Sequence, residues 1–102
     1  MAKRPVVIIF SPNANREVEE ARVWWAECGG ALALADAVAA ALSYIEAFPE
    51  APSLVKIRGK WSTTRRVQVD PIGYHLYYRY NALTGTILVR CFWHQRRRPP
   101  RL

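Results

Sequence analysis

Val6–Phe10 is an unbroken apolar, largely β-branched run and predicts a strand. Ser11-Pro12 follows, an N-cap residue and then a proline suited to a first helical position. Ala14, Val18, Ala21, Trp25 and Cys28 recur at helical spacing, with Glu17, Glu19, Glu20 and Glu27 assigned to the surface of the same helix. Gly29-Gly30 ends it. A second helix begins at Ala31. Its stripe is Ala31, Ala35, Val38, Leu42 and Ile45, flanked by Leu34, Ala41 and Phe48, and Pro49 and Pro52 stop it. Two helices on a Gly-Gly link make an αα-hairpin.

Residues 49–64 show no clear period and are expected to form a loop, carrying Lys56, Arg58, Lys60 and an exposed Trp61. Three strands are predicted beyond it: Arg65–Asp70, Tyr74–Tyr80 and Thr86–Trp93. Pro71-Ile72-Gly73 and Asn81–Gly85 are links short enough to imply an antiparallel meander. The expected fold class is therefore α+β: an N-terminal strand, an αα-hairpin, then a three-stranded antiparallel meander in a twisted sheet with the helices on one face.

Strand alternation sorts the side chains into two sets. Val67, Val69, Tyr74, Leu76, Tyr78, Tyr80, Ile87, Val89, Cys91 and Trp93 form an apolar set suited to lie under the helices. Arg66, Gln68, Asp70, His75, Tyr77, Arg79, Leu88, Arg90, Phe92 and His94 form the set expected to face outward. One arginine from each strand would then share an open face with rings. That pattern suits phosphate contact with base stacking, and equally an acidic amphipathic segment of a protein.

Length adds that 102 residues make one domain, expected over residues 1–95, with residues 96–102 as a basic Pro/Arg-rich tail. No apolar run is long enough to span a bilayer, and the run after the basic Met1–Arg4 is too short for a signal peptide, so a cytoplasmic protein is expected. Cys28 and Cys91 fit no metal or redox spacing and are expected to be buried, reduced thiols.

Charge changes the picture more. Residues 1–50 hold four basic and seven acidic side chains, whereas residues 51–102 hold eleven basic side chains and one acid, Asp70. The second half should present a positive face to a polyanion or to an acidic protein segment. No phosphate-binding glycine loop, HExxH or GxSxG motif occurs. With carboxylates so scarce there, no metal or cofactor is expected. Any catalysis would rest on Lys, Arg, His and Tyr, a set able to cleave RNA without a metal.

Several segments occur in a telling order: "ALSYIEAFPEAP" with Phe48-Pro49, then "RRVQVDPIGYHLYYRYN" with Arg65-Arg66, Gly73-Tyr74 and Tyr77-Tyr78-Arg79, then "TGTILVRCFWHQRR" with Trp93-His94 and Arg96-Arg97. Over nearly the whole chain this resembles the RelE/ParE toxin superfamily of type II toxin–antitoxin systems, and its ParE branch in particular. The resemblance implies a binding toxin that poisons DNA gyrase, blocks replication and arrests growth, as plasmid-stabilising toxins do. It also implies a cognate, ParD-like antitoxin with an acidic toxin-binding segment, and hence a hetero-oligomer. The RelE-like alternative is a ribosome-dependent messenger RNA endonuclease, for which Lys56, Lys60, Arg66, Arg79, Arg90 and His94 would form the site, His94 moving the proton. A third reading, outside the family, is a nucleic-acid-binding module. Residues expected to meet a target or antitoxin are Trp61, Arg65, Arg66, Tyr77, Arg79, Arg90, Phe92, His94, Arg96 and Arg97.

Overall fold

The computed structural model describes residues 5–102; the basic Met1–Arg4 lies outside the described residues. The element order is β1 (Val7–Phe10), α1 (Pro12–Glu27), α2 (Ala31–Ala47), β2 (Leu54–Ile57), β3 (Lys60–Val69), β4 (Tyr74–Asn81) and β5 (Thr86–His94). The five strands form one sheet in the order β1-β5-β4-β3-β2. β1 pairs parallel to β5, and the other pairs are antiparallel. Both helices cover one face, and the other face has none. The α+β expectation holds, with one strand more than expected. No helix among the described residues is long and apolar enough to cross a membrane.

Local chemistry accounts for the helix ends. Ser11 caps α1, its Oγ accepting from the Ala14 amide at 3.1 Å, with Pro12 at the first position. Gly29 sits at φ +77°, a conformation that closes the helix cheaply only without a Cβ. Gly30 then packs against Trp25, and a Cβ there would lie 2.5 Å from the Trp25 ring.

The core joins Ala14 and Ala21 of α1, Leu34, Ala37, Ala41 and Ile45 of α2, and Val67, Val69, Leu76, Tyr78, Ile87, Val89 and Phe92 of the sheet. Alanines at the helix contacts let the helices lie close to the sheet and to each other. The α2 stripe is rotated from its expected position: Ala31, Ala35 and Phe48 are exposed, while Leu34, Ala37 and Ala41 go inward. An alanine-rich helix offers little contrast between its faces, so its sheet-facing side is chosen by packing.

The expected loop over 49–64 is instead largely a hairpin. β2 and the first half of β3 pair through Lys56↔Trp61 and Ile57↔Lys60, turning at Arg58-Gly59. Both turn residues have positive φ, 53° and 77°, as a two-residue hairpin turn requires. Arginine is an unusual choice for the first of these positions, which is why the turn is hard to see in sequence.

Two further corrections concern single residues. Cys28 is exposed at the end of α1, and only Cys91 is buried. Glu17, assigned to the surface, is buried.

Candidate functional site

The strand register builds the open face. Arg66 stands opposite Tyr77, which stands opposite Cys91, and Thr64 stands opposite Arg79, which stands opposite Leu88. Arg90 has no partner in the ladder, because pairing jumps from Tyr77↔Cys91 to Tyr78↔Val89. This β-bulge leaves Arg90 on the open side, where its Nη1 donates to Thr64 Oγ1 at 3.5 Å. Arg66, Arg79 and Arg90, from three adjacent strands, therefore share one face.

The same bulge overturns the expected alternation beyond it. One extra residue reverses the phase of β5. Phe92, expected to face outward, is 2 % exposed and stacked on Tyr74 at 4.5 Å between ring centroids, within the core. His94 follows it to the helix side, edge-on to Tyr74 at 5.0 Å, with Nδ1 accepting from the Arg96 amide at 3.1 Å. Cys91 and Trp93, expected under the helices, stand opposite Tyr77 and His75 instead. His94 and the three arginines thus lie on opposite sides of the sheet.

Arg65 also lies on the helix side, opposite Tyr78. Its Nη1 donates to the carbonyls of Glu50 and Pro52, at 2.9 and 2.7 Å, tying down the segment after α2. One nitrogen of its guanidinium is thus held by the chain itself. Tyr78 supports the same segment, its hydroxyl donating to Pro49 O at 2.7 Å. Burial pushes the Tyr78 hydroxyl up to about 12, against a smaller opposing effect of Arg65.

A groove of about 660 Å³ crosses the β3 side of the open face. One wall is the β2–β3 hairpin with Lys56, Arg58 and Trp61; Arg66 and Tyr77 form the floor; Pro99–Leu102 form the second wall. Lys56 Nζ rests 4.9 Å from the centre of the exposed Trp61 ring. The groove gathers Lys56, Arg58, Arg66 and Arg101 with no acidic side chain among its lining residues. Lys60 starts β3 at the hairpin tip and is exposed, as is Arg79.

The tail leaves β5 by a turn. Gln95 N donates to Gly73 O at 2.9 Å and Arg97 N to His94 O at 3.1 Å. Trp93 then holds it: the indole Nε1 donates to Arg98 O at 2.6 Å, and the Arg97 guanidinium lies 3.7 Å from the Trp93 ring centre. Arg96 remains exposed.

Sequence reasoning missed Arg101, Trp93 and Glu17 as members of this region; it had placed Arg58 in the basic segment and His75 in the outward set, without counting either among the site residues. His75 stands on the open face opposite Gln68. Its pKa is lowered, first by burial and then by Arg66, with Asp70 opposing both. Strand parity had put His75 on the outward face, where it stands. Trp93 required knowledge of the bulge.

A comparison with curated proteins returns no match. A family model, the ParE toxin of type II toxin–antitoxin system, parDE, matches residues 8–99, from within β1 into the tail. That match covers the helices, every strand but the first residue of β1, and most of the basic surface. The chain belongs to the ParE toxin family of type II toxin–antitoxin systems.

Proposed function

We propose that this type II toxin works by binding rather than by cleavage: in the cytoplasm it engages DNA gyrase, halts replication, and is neutralised by a cognate antitoxin. Family membership supports a toxin with an antitoxin partner. The observation that carries the binding reading is the separation of His94 from Arg66, Arg79 and Arg90 by the sheet itself. A metal-free ribonuclease needs a proton-transfer group within hydrogen-bond reach of the phosphate its cations hold. His94 cannot serve the three open-face arginines in that way.

His75 keeps a second reading open. It lies on the arginine side, and its lowered pKa favours the neutral ring able to accept a proton near neutral pH. RNA cleavage on this face would run through His75 and Arg66.

Supercoiling by purified gyrase, with cleaved DNA scored on the same gel, tests the first reading. Inhibition with trapped cleavage complexes is the expected outcome. Unimpaired gyrase together with messenger cleavage in a translation assay, lost on His75→Gln, would replace it with the second.

A further inference from the structure

The β2–β3 hairpin stands outside the core: no residue from Leu54 to Arg66 belongs to the hydrophobic cluster. It is nonetheless firmly built. Ser62 Oγ donates to the Val55 carbonyl across the hairpin at 2.7 Å and accepts from the Thr64 amide at 3.2 Å. Arg65 anchors the segment that leads into β2, through the carbonyls of Glu50 and Pro52. A ribbon held this way without serving the core is suited to a role at its surface.

Its tip carries Lys56, Arg58, Lys60 and Trp61, all exposed. No acidic side chain occurs from Ala51 to Val69, and no ion pair among the described residues engages these three cations. Trp61 is 70 % exposed, with Lys56 Nζ 4.9 Å from its ring centre. Cations alone would serve solubility. The ring beside them adds what phosphate contact lacks, a π face for a base. Arg58 is a second, independent sign. It holds φ +53° at the first turn position, where Asn, Asp or Gly is favoured. An arginine kept in that conformation is placed for its guanidinium rather than for the turn.

We propose that the tip of the β2–β3 hairpin binds single-stranded nucleic acid, a base stacking on Trp61 while Lys56, Arg58 and Lys60 hold neighbouring phosphates. Cations set around an aromatic ring match a strand in which phosphates and bases alternate. The carboxylates of an acidic peptide leave the ring unused, and a lipid surface takes a broad apolar face where this tip presents a single exposed ring. The site is separate from the open sheet face and from the tail. It goes beyond the gyrase reading, because the hairpin contacts a nucleic-acid strand directly, whatever protein the toxin also engages.

The test uses the full chain and labelled oligo-dT and oligo-U of about 15 nucleotides, titrated by fluorescence anisotropy. The logarithm of affinity should fall against the logarithm of salt with a slope of about −2, three neutralised phosphates at about −0.7 each. Trp61→Ala should weaken binding by about fivefold or more while leaving that slope unchanged. Arg58→Asn should weaken binding and reduce the slope by about 0.7, yet melt no lower than the parent protein, because Asn suits the turn. Circular dichroism reports that each variant is folded. Binding of one homopolymer alone assigns the strand to DNA or to RNA, and binding of both marks contact through backbone and base stacking. Affinity unchanged by Trp61→Ala, or lost on Arg79→Gln but kept in Arg58→Asn, would overturn the proposal. So would equally tight binding of poly-glutamate or of anionic lipid vesicles, or no binding of either homopolymer at low salt. Gyrase is absent from these titrations, so failure here is separate from failure of the supercoiling assay.

Discussion

The carboxylate of Glu17 accepts the backbone amide of Phe92 at 3.0 Å through Oε1, and the thiol of Cys91 at 3.6 Å through Oε2. β1 pairs with β5 only as far as Val89. Beyond that point the edge of β5 has lost its neighbour, and a buried amide without an acceptor is costly. Ser11 serves the junction, its amide donating to Val89 O and its hydroxyl to Arg90 O. Glu17, one turn into α1, then takes the place of the missing strand. Glu17→Ala should cost about 1–3 kcal/mol, the range for orphaning a buried donor. Glu17→Gln keeps an acceptor and should cost less. Chemical denaturation of both variants checks this, and equal stability of Glu17→Ala and the parent protein would sink the idea.

The two cysteines should report the same geometry. Burial first, and the neighbouring Glu17 second, push the Cys91 thiol up to about 12, so it holds almost no thiolate at neutral pH. Cys28 is exposed. A maleimide at neutral pH should label one cysteine in the native protein and two after denaturation. Mass spectrometry of the peptides should place the first label on Cys28. Rapid double labelling of the folded protein would contradict the packing of Cys91.

Tyr78 ties stability to alkaline pH. Its hydroxyl titrates at about 12 in the folded protein against 10 ordinarily, so folding favours the protonated form. For a raised pKa the contribution is complete below the unfolded value and is lost as pH rises through the folded one. The stability difference between the parent protein and Tyr78→Phe should therefore be constant up to about pH 10. It should shrink between about pH 10 and pH 12. Thermal melts across that window measure it, and a difference independent of pH would refute the linkage.

Adjacent arginines should separate by function. Arg65 is bonded to the carbonyls of Glu50 and Pro52, while the exposed Arg66 lies on the groove floor. Arg65→Ala should lower stability by about 1–3 kcal/mol, as loss of charged hydrogen bonds does. Arg66→Ala should stay within about 0.5 kcal/mol of the parent protein, as surface substitutions do. It should instead weaken inhibition of gyrase in the supercoiling assay. Paired denaturation and supercoiling measurements decide between this and the reverse assignment.

Much of the architecture is written locally. The β-branched run of β1, the Ser11-Pro12 cap, the Gly29-Gly30 break and the alternation of β3 and β4 depend on neighbours a few residues away. Sequence periodicity therefore reports them. It also placed Arg66, Arg79 and Arg90 on one face, because parity held in each strand up to the bulge. The family resemblance rests on the same ordered segments, and the family match extends over them.

What lay beyond the sequence depended on partners distant in the chain. The bulge at Arg90 arises from how β5 pairs with β4, and it moved Phe92 and His94 to the helix side. The β2–β3 hairpin turns at an arginine in a left-handed conformation that composition does not suggest. The inward position of Glu17 follows from the early end of β1, which leaves one amide of β5 in need of an acceptor. Local patterns determined the elements and their apolar faces. Only the assembled sheet decided which histidine stands with the three arginines and which rings of β5 turn into the core, because each of those outcomes is a pairing between residues far apart in the chain.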